Sequence, residues 1–241
     1  MDPGMLPACR ECRKQQTVGI AARKGMDMIR IVPIQEYFDS NCYFYIDDIS
    51  RCGFLIDPGA EPEKLLDLVR REDWTIEKIL ITHGHIDHIG AVNAVLREIP
   101  VPVYAHRMAE YFMQDEELNL SSVFGPPIHI EGLRYLEDGD EICLDSDPSF
   151  SLKVIYAPGH TVDSIVLYSE RDRAAFVGDS IYKGCIGDYQ YPGGDYELLL
   201  KNVKEKILTL PDDTVLYSGH SDPTTVGEEK PLYRRFYRSR L

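Results

Sequence analysis

The sequence predicts an α+β fold in which two β-sheets pack face to face and helices cover their outer sides. Its 241 residues, 44% of them apolar, suffice for one large domain with an ample core. Short apolar strands occur in two successive groups, one before residue 106 and one after residue 140, and each group is accompanied by helices. Packing two sheets against each other and against helices buries all of these apolar faces.

The first half of the chain alternates short strands with turns and helices. Strands are predicted at 29–34, 42–46 and 53–56, and Asp57-Pro58-Gly59 has the composition of a turn. Pro62 opens an amphipathic helix that runs to about Arg71, with its leucines spaced for one buried face. A strand at 78–81, a helix at 89–98 and a strand at 101–105 follow.

The second half repeats this rhythm after a long connection. Residues 106–140 hold a short helix and a loop around 118–130, and loops of this length tend to form lids or substrate walls. Strands are predicted near 141–144, 150–156, 164–169, 174–177 and 213–217, with a helix at 195–208.

The two ends of the chain differ in composition from the rest. Residues 1–27 show neither helical nor strand periodicity, so we expect a flexible leader or an artificial extension, with Met26 or Met28 as the natural start. Residues 28–241 are then a single domain. The pair Cys9 and Cys12 lacks the second cysteine pair of a structural zinc site, and we expect the arginines after residue 233 to be solvated.

Composition excludes several classes of function. A net charge of −14 disfavours nucleic acid as a partner, because such a chain offers no strong field for phosphates. No apolar stretch reaches the roughly 18 residues of a membrane span. With no secretory signal and six scattered cysteines, we expect a cytoplasmic protein with reduced thiols. The oligomeric state is left open.

Three of the seven histidines lie within the run Thr82-His83-Gly84-His85-Ile86-Asp87-His88. The run follows an apolar strand and precedes a helix, so it should form a loop at the end of that strand. Residues two apart in extended backbone point the same way, which lets His83 and His85 bind one metal ion together. As the chain turns into the helix, Asp87 and His88 can face a second ion.

Three further candidate ligands follow apolar strands in the same manner. They are His160 in Ala157-Pro-Gly-His160, Asp179 in Val177-Gly-Asp179 and His220 in Tyr217-Ser-Gly-His220. This repeated arrangement places all the candidates on one edge of the sheets. Imidazole and carboxylate ligands suit zinc, and iron and manganese remain open. His106 and His129 lack such surroundings and are expected to be structural or exposed.

Two ions so placed can share a water and lower its pKa towards neutrality. The resulting bridging hydroxide would attack an ester or thioester carbonyl, with one ion stabilising the oxyanion. Asp87 could orient the hydroxide as well as bind metal. We therefore expect an enzyme, a dinuclear hydrolase acting on a small molecule.

The complete ligand pattern resembles that of the metallo-β-lactamase superfamily over nearly the whole chain after residue 28. The segments at 178–182, 191–196, 210–214 and 223–229 more narrowly resemble single-domain glyoxalase II-like (hydroxyacylglutathione hydrolase-like) enzymes. This resemblance implies the four-layer αβ/βα sandwich of the metallo-β-lactamase fold. It also implies that His83, His85 and His160 hold one metal, that Asp87, His88 and His220 hold the other, and that Asp179 bridges both.

The residues around the expected site leave the substrate open. Tyr182 is a candidate wall or hydrogen-bond donor, and Asn41 is expected either to shape the mouth or to hold a turn. Glyoxalase II-like enzymes usually carry a basic residue for a glutathione carboxylate where this chain has Asp188, and they often carry a C-terminal helical domain. Both departures put a glutathione thioester in doubt.

Other functions are compatible with the same ligands. One is a non-haem iron persulfide dioxygenase, which iron content and oxygen uptake would identify. Another is a hydrolase of a lactone, a phosphodiester or another small ester. A third is a metal-binding module without catalysis, which is disfavoured because all seven ligand positions are filled.

Overall fold

The computed structural model of the chain describes residues 28–237, with the side chains of residues 29–233. The predicted leader, residues 1–27, and the side chains of the C-terminal arginines lie outside the described residues. Within the described part, no helix is both long and apolar enough to cross a membrane.

The first sheet is built from the first half of the chain. Its six strands lie in chain order, antiparallel from β1 to β3 and parallel from β3 to β6. They are β1 (Met28–Ile34), β2 (Ser40–Ile46), β3 (Cys52–Ile56), β4 (Thr75–Leu80), β5 (Val103–His106) and β6 (Arg134–Leu136). The parallel connections carry helices α1 (Pro62–Glu72), α2 (Ile86–Ile89), α3 (Val92–Glu98), α4 (Ala109–Gln114) and α5 (Ser121–Phe124).

The second sheet is built from the second half, in the order β14-β13-β10-β9-β8-β7. Its strands are β7 (Glu141–Cys143), β8 (Ser151–Tyr156), β9 (Ile165–Ser169), β10 (Ala174–Gly178), β13 (Val215–Ser218) and β14 (Thr224–Thr225). A small hairpin pairs β11 (Ile181–Tyr182) with β12 (Cys185–Ile186). Helices α6 (Tyr196–Asn202) and α7 (Val226–Tyr237) complete this half.

Three apolar cores separate four layers. The middle core lies between the sheets, where Tyr43, Tyr45 and Phe54 of the first sheet meet Phe150 and Phe176 of the second half. One outer core joins the first sheet to α1 and α3, and the other joins the second sheet to α6 and α7. The predicted α+β class and the αβ/βα sandwich are therefore confirmed.

Several elements differ from the sequence-based prediction. The helix predicted at 89–98 is divided into α2 and α3, so that Asp87 and His88 are helical rather than in a loop. The helix predicted at 195–208 is α-helical only to Asn202 and continues as a π-helical turn, Val203–Ile207. Very short strands (β6, β11, β12 and β14) were not predicted, since two or three residues carry no readable periodicity. Helix α7, which contains Pro231, was not predicted either.

Strand direction gathers the candidate ligands at one edge. The connections after β4, β8, β10 and β13 carry them. In the second sheet, β10 and β13 are parallel neighbours, and β8 runs the same way because β9 is antiparallel to both β8 and β10. The carboxyl ends of these strands therefore meet at the same place as the end of β4, where the Ile165 N–H donates across the sheets to Thr82 O.

Candidate metal centre

Three imidazole nitrogens converge in a first buried cluster. His160 Nε2 lies 3.2 Å from His83 Nε2 and 3.0 Å from His85 Nδ1. All three side chains are buried. The sequence run thus supplies two members from the end of β4, and the turn after β8 supplies the third.

A second cluster lies beside the first and is richer in carboxylate. His220 Nε2 is 3.1 Å from Asp87 Oδ2, and His88 Nε2 is 3.7 Å from the same oxygen. Asp87 and His88 come from α2, whereas His220 follows β13.

Asp179 lies between the two clusters. Its Oδ2 is 3.0 Å from His220 Nε2 and 3.7 Å from His160 Nε2, while Oδ1 is 3.4 Å from His88 Nε2. One carboxylate therefore faces both groups of ligand atoms. Gly219 permits this approach, because a Cβ there would stand 2.0 Å from Asp179 Oδ1.

Partners outside the clusters orient the ligand rings. In His88, His160 and His220 the Nδ1 nitrogen faces an oxygen acceptor, leaving Nε2 directed inward. These acceptors are Asp57 Oδ2 at 2.9 Å, Asp188 O at 2.5 Å and Asp39 O at 2.7 Å. An oxygen acceptor at Nδ1 assigns a proton to that nitrogen, so each ring, in its neutral form, presents a lone pair at Nε2.

Asp57 is a positioning residue that the sequence reasoning missed. It was assigned to a turn, but its buried carboxylate accepts hydrogen bonds from the Thr82 N–H and hydroxyl, both at 2.7 Å, as well as from His88. Its backbone is left-handed, with φ of 51°. The signal available in the sequence was its place at the end of a buried strand, the same place that the ligands occupy.

The residues present fit a pair of divalent cations. In the first cluster, nitrogen lone pairs face one another at 3.0 and 3.2 Å, close to the roughly 3.3 Å edge of a tetrahedron with zinc–nitrogen bonds of about 2.0–2.1 Å. In the second, His88 Nε2 and Asp179 Oδ1 are buried without a hydrogen-bond partner. Both features are costly in a dry interior unless a cation satisfies the atoms.

The two clusters differ in their electrostatics. Burial, the largest effect, lowers the pKa of His83, His85 and His160, and it lowers that of His85 to about 3. These rings are therefore neutral, and each can donate a nitrogen lone pair to a metal ion. Burial alone would also lower the pKa of His88 and His220, but neighbouring carboxylates raise both well above the ordinary value. The second cluster therefore has a negative field that attracts positive charge.

Two tyrosines flank the clusters, one on each side. The Tyr182 ring lies 5.8 Å from His220, and the Tyr191 ring lies 5.7 Å from His85. Burial and the Asp179 carboxylate raise the pKa of Tyr182 well above its ordinary value, so its hydroxyl stays protonated. Tyr182 was a sequence candidate, whereas Tyr191 had been noted only as part of a family segment.

Asn41 holds the loop that carries His220. Its amide Nδ2 donates to Ser218 O at 3.0 Å and to Ser221 O at 3.1 Å, and its backbone N–H donates to Gly219 O. Of the two roles considered for Asn41, this geometry favours holding a turn. Because Asn41 is on β2, these bonds tie the first sheet to a ligand loop of the second.

The remaining candidates lie away from the ligand atoms. His106 is buried and stacks on Tyr156 at 4.0 Å, and His129 is exposed beside Glu116. Neither belongs to a group of converging ligand atoms in the described part of the chain. The 118–130 loop does reach the site, since the Ile86 N–H donates to Asn119 O at 2.8 Å. In the same loop, the half-exposed Phe124 contacts Phe38.

Comparisons with known proteins show which family of proteins the chain is similar to. A profile of the metallo-beta-lactamase superfamily matches residues 37–220. The chain is 31% identical over 205 residues to the hydroxyacylglutathione hydrolase GloC of Haemophilus influenzae, an alignment that covers 84% of this chain and 94% of that protein.

Two solved structures are also similar. The crystal structure of the B3 metallo-beta-lactamase BLEG-1 has a TM-score of 0.79 and 34% identity, covering 85% of this chain and 97% of that one. The structure of TTHA1623 in a di-iron-bound form has a TM-score of 0.74 and 31% identity, covering 83% and 96%.

Proposed function

The chain belongs to the metallo-beta-lactamase superfamily, and from this premise we propose that it is a dinuclear metal-dependent hydrolase of thioesters or esters. The observation that carries the proposal is the pair of ligand clusters joined by Asp179. We further propose that residues 28–241 form the single hydrolase domain, as the sequence predicts.

In this proposal, seven side chains hold the two ions. His83, His85 and His160 hold one, Asp87, His88 and His220 hold the other, and Asp179 contacts both. When bound, such ions lower the pKa of a shared water towards neutrality and polarise a carbonyl. Zinc is the metal we propose, because three neutral imidazoles at tetrahedral spacing suit it. The di-iron-bound relative makes iron the main competitor.

Two of the protein's own side chains are placed to act on the water and the substrate. Asp87 Oδ2, already facing His220, is placed to orient the attacking water as well as to bind metal. Tyr182 keeps its proton, so its hydroxyl can act as a hydrogen-bond donor at the site but not as a base. A thiolate is a good leaving group, so hydrolysis of a thioester needs no strong general acid.

The charges around the site bear on the substrate. Burial is the largest cause of the raised pKa values of both flanking tyrosines, and the Asp188 carboxylate adds to them. Negative charge there repels the two carboxylates of a thiol such as glutathione. We therefore propose a thioester or ester of lower negative charge, although the GloC relative makes a glutathione thioester a necessary comparison.

A panel of substrates tests this proposal. Purified protein is assayed for metal by elemental analysis and then offered a neutral thioester, S-lactoylglutathione, a lactone, a phosphodiester and a β-lactam, the last because of the BLEG-1 similarity. We expect about two ions per chain and turnover fastest on the neutral thioester. Zinc with turnover on phosphodiesters alone would refute the thioesterase assignment. Iron with oxygen uptake on a persulfide would establish the dioxygenase instead.

Two variants separate chemistry from folding. His85→Ala should remove both metal and turnover while the chain stays folded, and full turnover by this variant would refute the metal mechanism. Tyr182→Phe should keep both ions and reduce kcat about 10-fold or more, because it removes one donor near the reacting group. Tyr111→Phe, at an exposed tyrosine outside both clusters, is the matched control.

A further inference from the structure

The turn that carries His160 is held from outside by one helical segment. This turn, residues 156–160, leaves β8 and places His160 at the first cluster. The supporting segment is α6 with its π-helical turn, residues 196–207. None of its side chains is a metal ligand in the proposed function.

Two backbone contacts join this segment to the turn. The Asp195 N–H, at the N-cap of α6, donates to Gly159 O at 2.8 Å. Gly159 itself has φ of +140°, and a Cβ there would stand 2.3 Å from the Leu199 backbone. The turn therefore lies directly on the helix, with no room for a side chain between them.

Two side chains of the same segment reach two carbonyls of the turn that precede that contact. Asn202 Nδ2 donates to Pro158 O at 2.6 Å, and both groups are buried. Lys206 Nζ donates to Tyr156 O. Residues 195, 199, 202 and 206 have the spacing of one helix face. Asn202 is the last residue of the α-helix, and the π-turn follows it. The Leu208 N–H closes this π-turn by donating to Val203 O.

We propose that Asn202 is a positioning residue for metal binding, acting through the Pro158–His160 turn. This inference rests on the proposed function, since it assumes that His160 binds metal. Asn202 fixes the turn two residues before His160, while Asp188 O fixes the ring through Nδ1. Together they set where the Nε2 lone pair points. Outer partners of this kind typically change metal affinity by about 10- to 100-fold.

The test compares zinc affinity in three folded variants. Asn202→Leu removes the donor at similar size. Tyr233→Phe is the matched control, because Tyr233 Oη donates to Leu200 O, a carbonyl of α6 outside the turn. His160→Ala identifies which of the two stepwise zinc affinities belongs to the first cluster. If Asn202→Leu does not fold, Asn202→Asp replaces it, since a carboxylate cannot donate.

Competition with a chromophoric chelator measures both zinc affinities. We expect Asn202→Leu to weaken by about 10-fold the step that His160→Ala abolishes, and Tyr233→Phe to leave both steps unchanged. In metal-free protein, amide exchange at Asp195 should be faster in Asn202→Leu than in Tyr233→Phe. Wild-type affinities in Asn202→Leu, or equal losses in Tyr233→Phe, would overturn the inference.

The same experiment keeps the two proposals apart. Wild-type protein that binds two ions but hydrolyses no thioester or ester would refute the proposed function alone, and the Asn202 comparison would still decide the positioning role. Wild-type protein that binds no metal would overturn both.

Discussion

At the scale of single residues, the ligand rings depend on what binds their second nitrogen. His88, His160 and His220 each direct Nδ1 at an oxygen of the protein, and only His88 uses a side chain for this. A backbone carbonyl cannot be changed by substitution, whereas Asp57 can. Asp57 is therefore the place where the role of an outer partner can be tested directly.

Replacing Asp57 with asparagine should weaken one metal site. The amide oxygen can still accept from the Thr82 N–H, but its NH₂ then faces two donors, the Thr82 hydroxyl and His88 Nδ1–H. We expect zinc affinity at the second cluster to fall about 10- to 100-fold. Asp47→Asn is the control, since Asp47 also accepts backbone N–H groups but in a remote turn. Unchanged zinc affinity in Asp57→Asn would contradict this role.

Asp163 should make stability depend on pH. Burial, the largest effect, raises the pKa of Asp163 to about 6, and the nearby polar groups of Thr161 and Gly84 offset only part of this. Neither oxygen of the carboxylate has a hydrogen-bond partner among the described residues. The unfolded pKa is about 3.9. Between these values the folded chain holds a proton that the unfolded chain has lost, so stability falls as pH rises from about 4 to 6. The loss approaches about 3 kcal/mol for two pKa units.

Asp163→Asn should remove this dependence. Urea unfolding of metal-free protein at several pH values should show the variant gaining about 2–3 kcal/mol on the wild type between pH 4 and pH 7. Asp47→Asn should show no such gain, because hydrogen bonds lower the pKa of Asp47 despite its burial. A constant difference between Asp163→Asn and wild type across this range would rule out the raised pKa.

At the scale of elements, apolar periodicity predicted the long strands and one helix, and the positions of strand ends predicted the ligands. The long strands and the amphipathic α1 were predicted because apolar spacing governs them, and the ligands followed because each comes directly after a strand. The division of 195–208 into α6 and a π-turn was not predicted. The π-turn lies where Asn202 and Lys206 contact the 156–160 turn, which is far away in sequence.

The contact of that turn with α6 predicts a large effect of Gly159→Ala. The substitution combines an unfavourable φ of +140° with a collision at 2.3 Å against the Leu199 backbone. Gly132→Ala is the matched control, because Gly132 has φ of +73° and nothing within 4 Å. We expect the control to lose about 1–2 kcal/mol from backbone strain alone, and Gly159→Ala to lose clearly more, measured by urea unfolding. Equal losses would mean that the turn can move off the helix without cost.

At the scale of the whole molecule, the two halves meet at the metal centre. The division into two β-rich halves was predictable, because it is visible as two groups of strands. Which residues position the ligand-bearing segments was harder to predict. Asp57, Asn41 and Asn202 were not assigned these contacts, because each acts on a partner more than 20 residues away and has no motif of its own.

The ligands come from both halves, so the ions should stabilise the assembled sandwich. The segment from the end of β4 through α2 supplies four of them, and the connections after β8, β10 and β13 supply three. A metal ion present at about 1,000 times its Kd stabilises the folded state by about 4 kcal/mol. A change of 1 kcal/mol shifts the Tm of a domain this size by about 2–4 °C. Stripping with a chelator should therefore lower the Tm by about 10 °C while the three apolar cores keep the chain folded.

Calorimetry with and without two equivalents of zinc measures this shift. Asp179→Ala should lose most of it, because Asp179 contacts both clusters. Asp147→Ala, at a partly exposed carboxylate that accepts from Ser149 outside both clusters, should retain it. Circular dichroism of the stripped protein should still show the mixed α and β signal. An unchanged Tm in protein shown to hold two ions would mean that the ions bind the unfolded chain as tightly as the folded one, and would contradict their role in stabilising the sandwich.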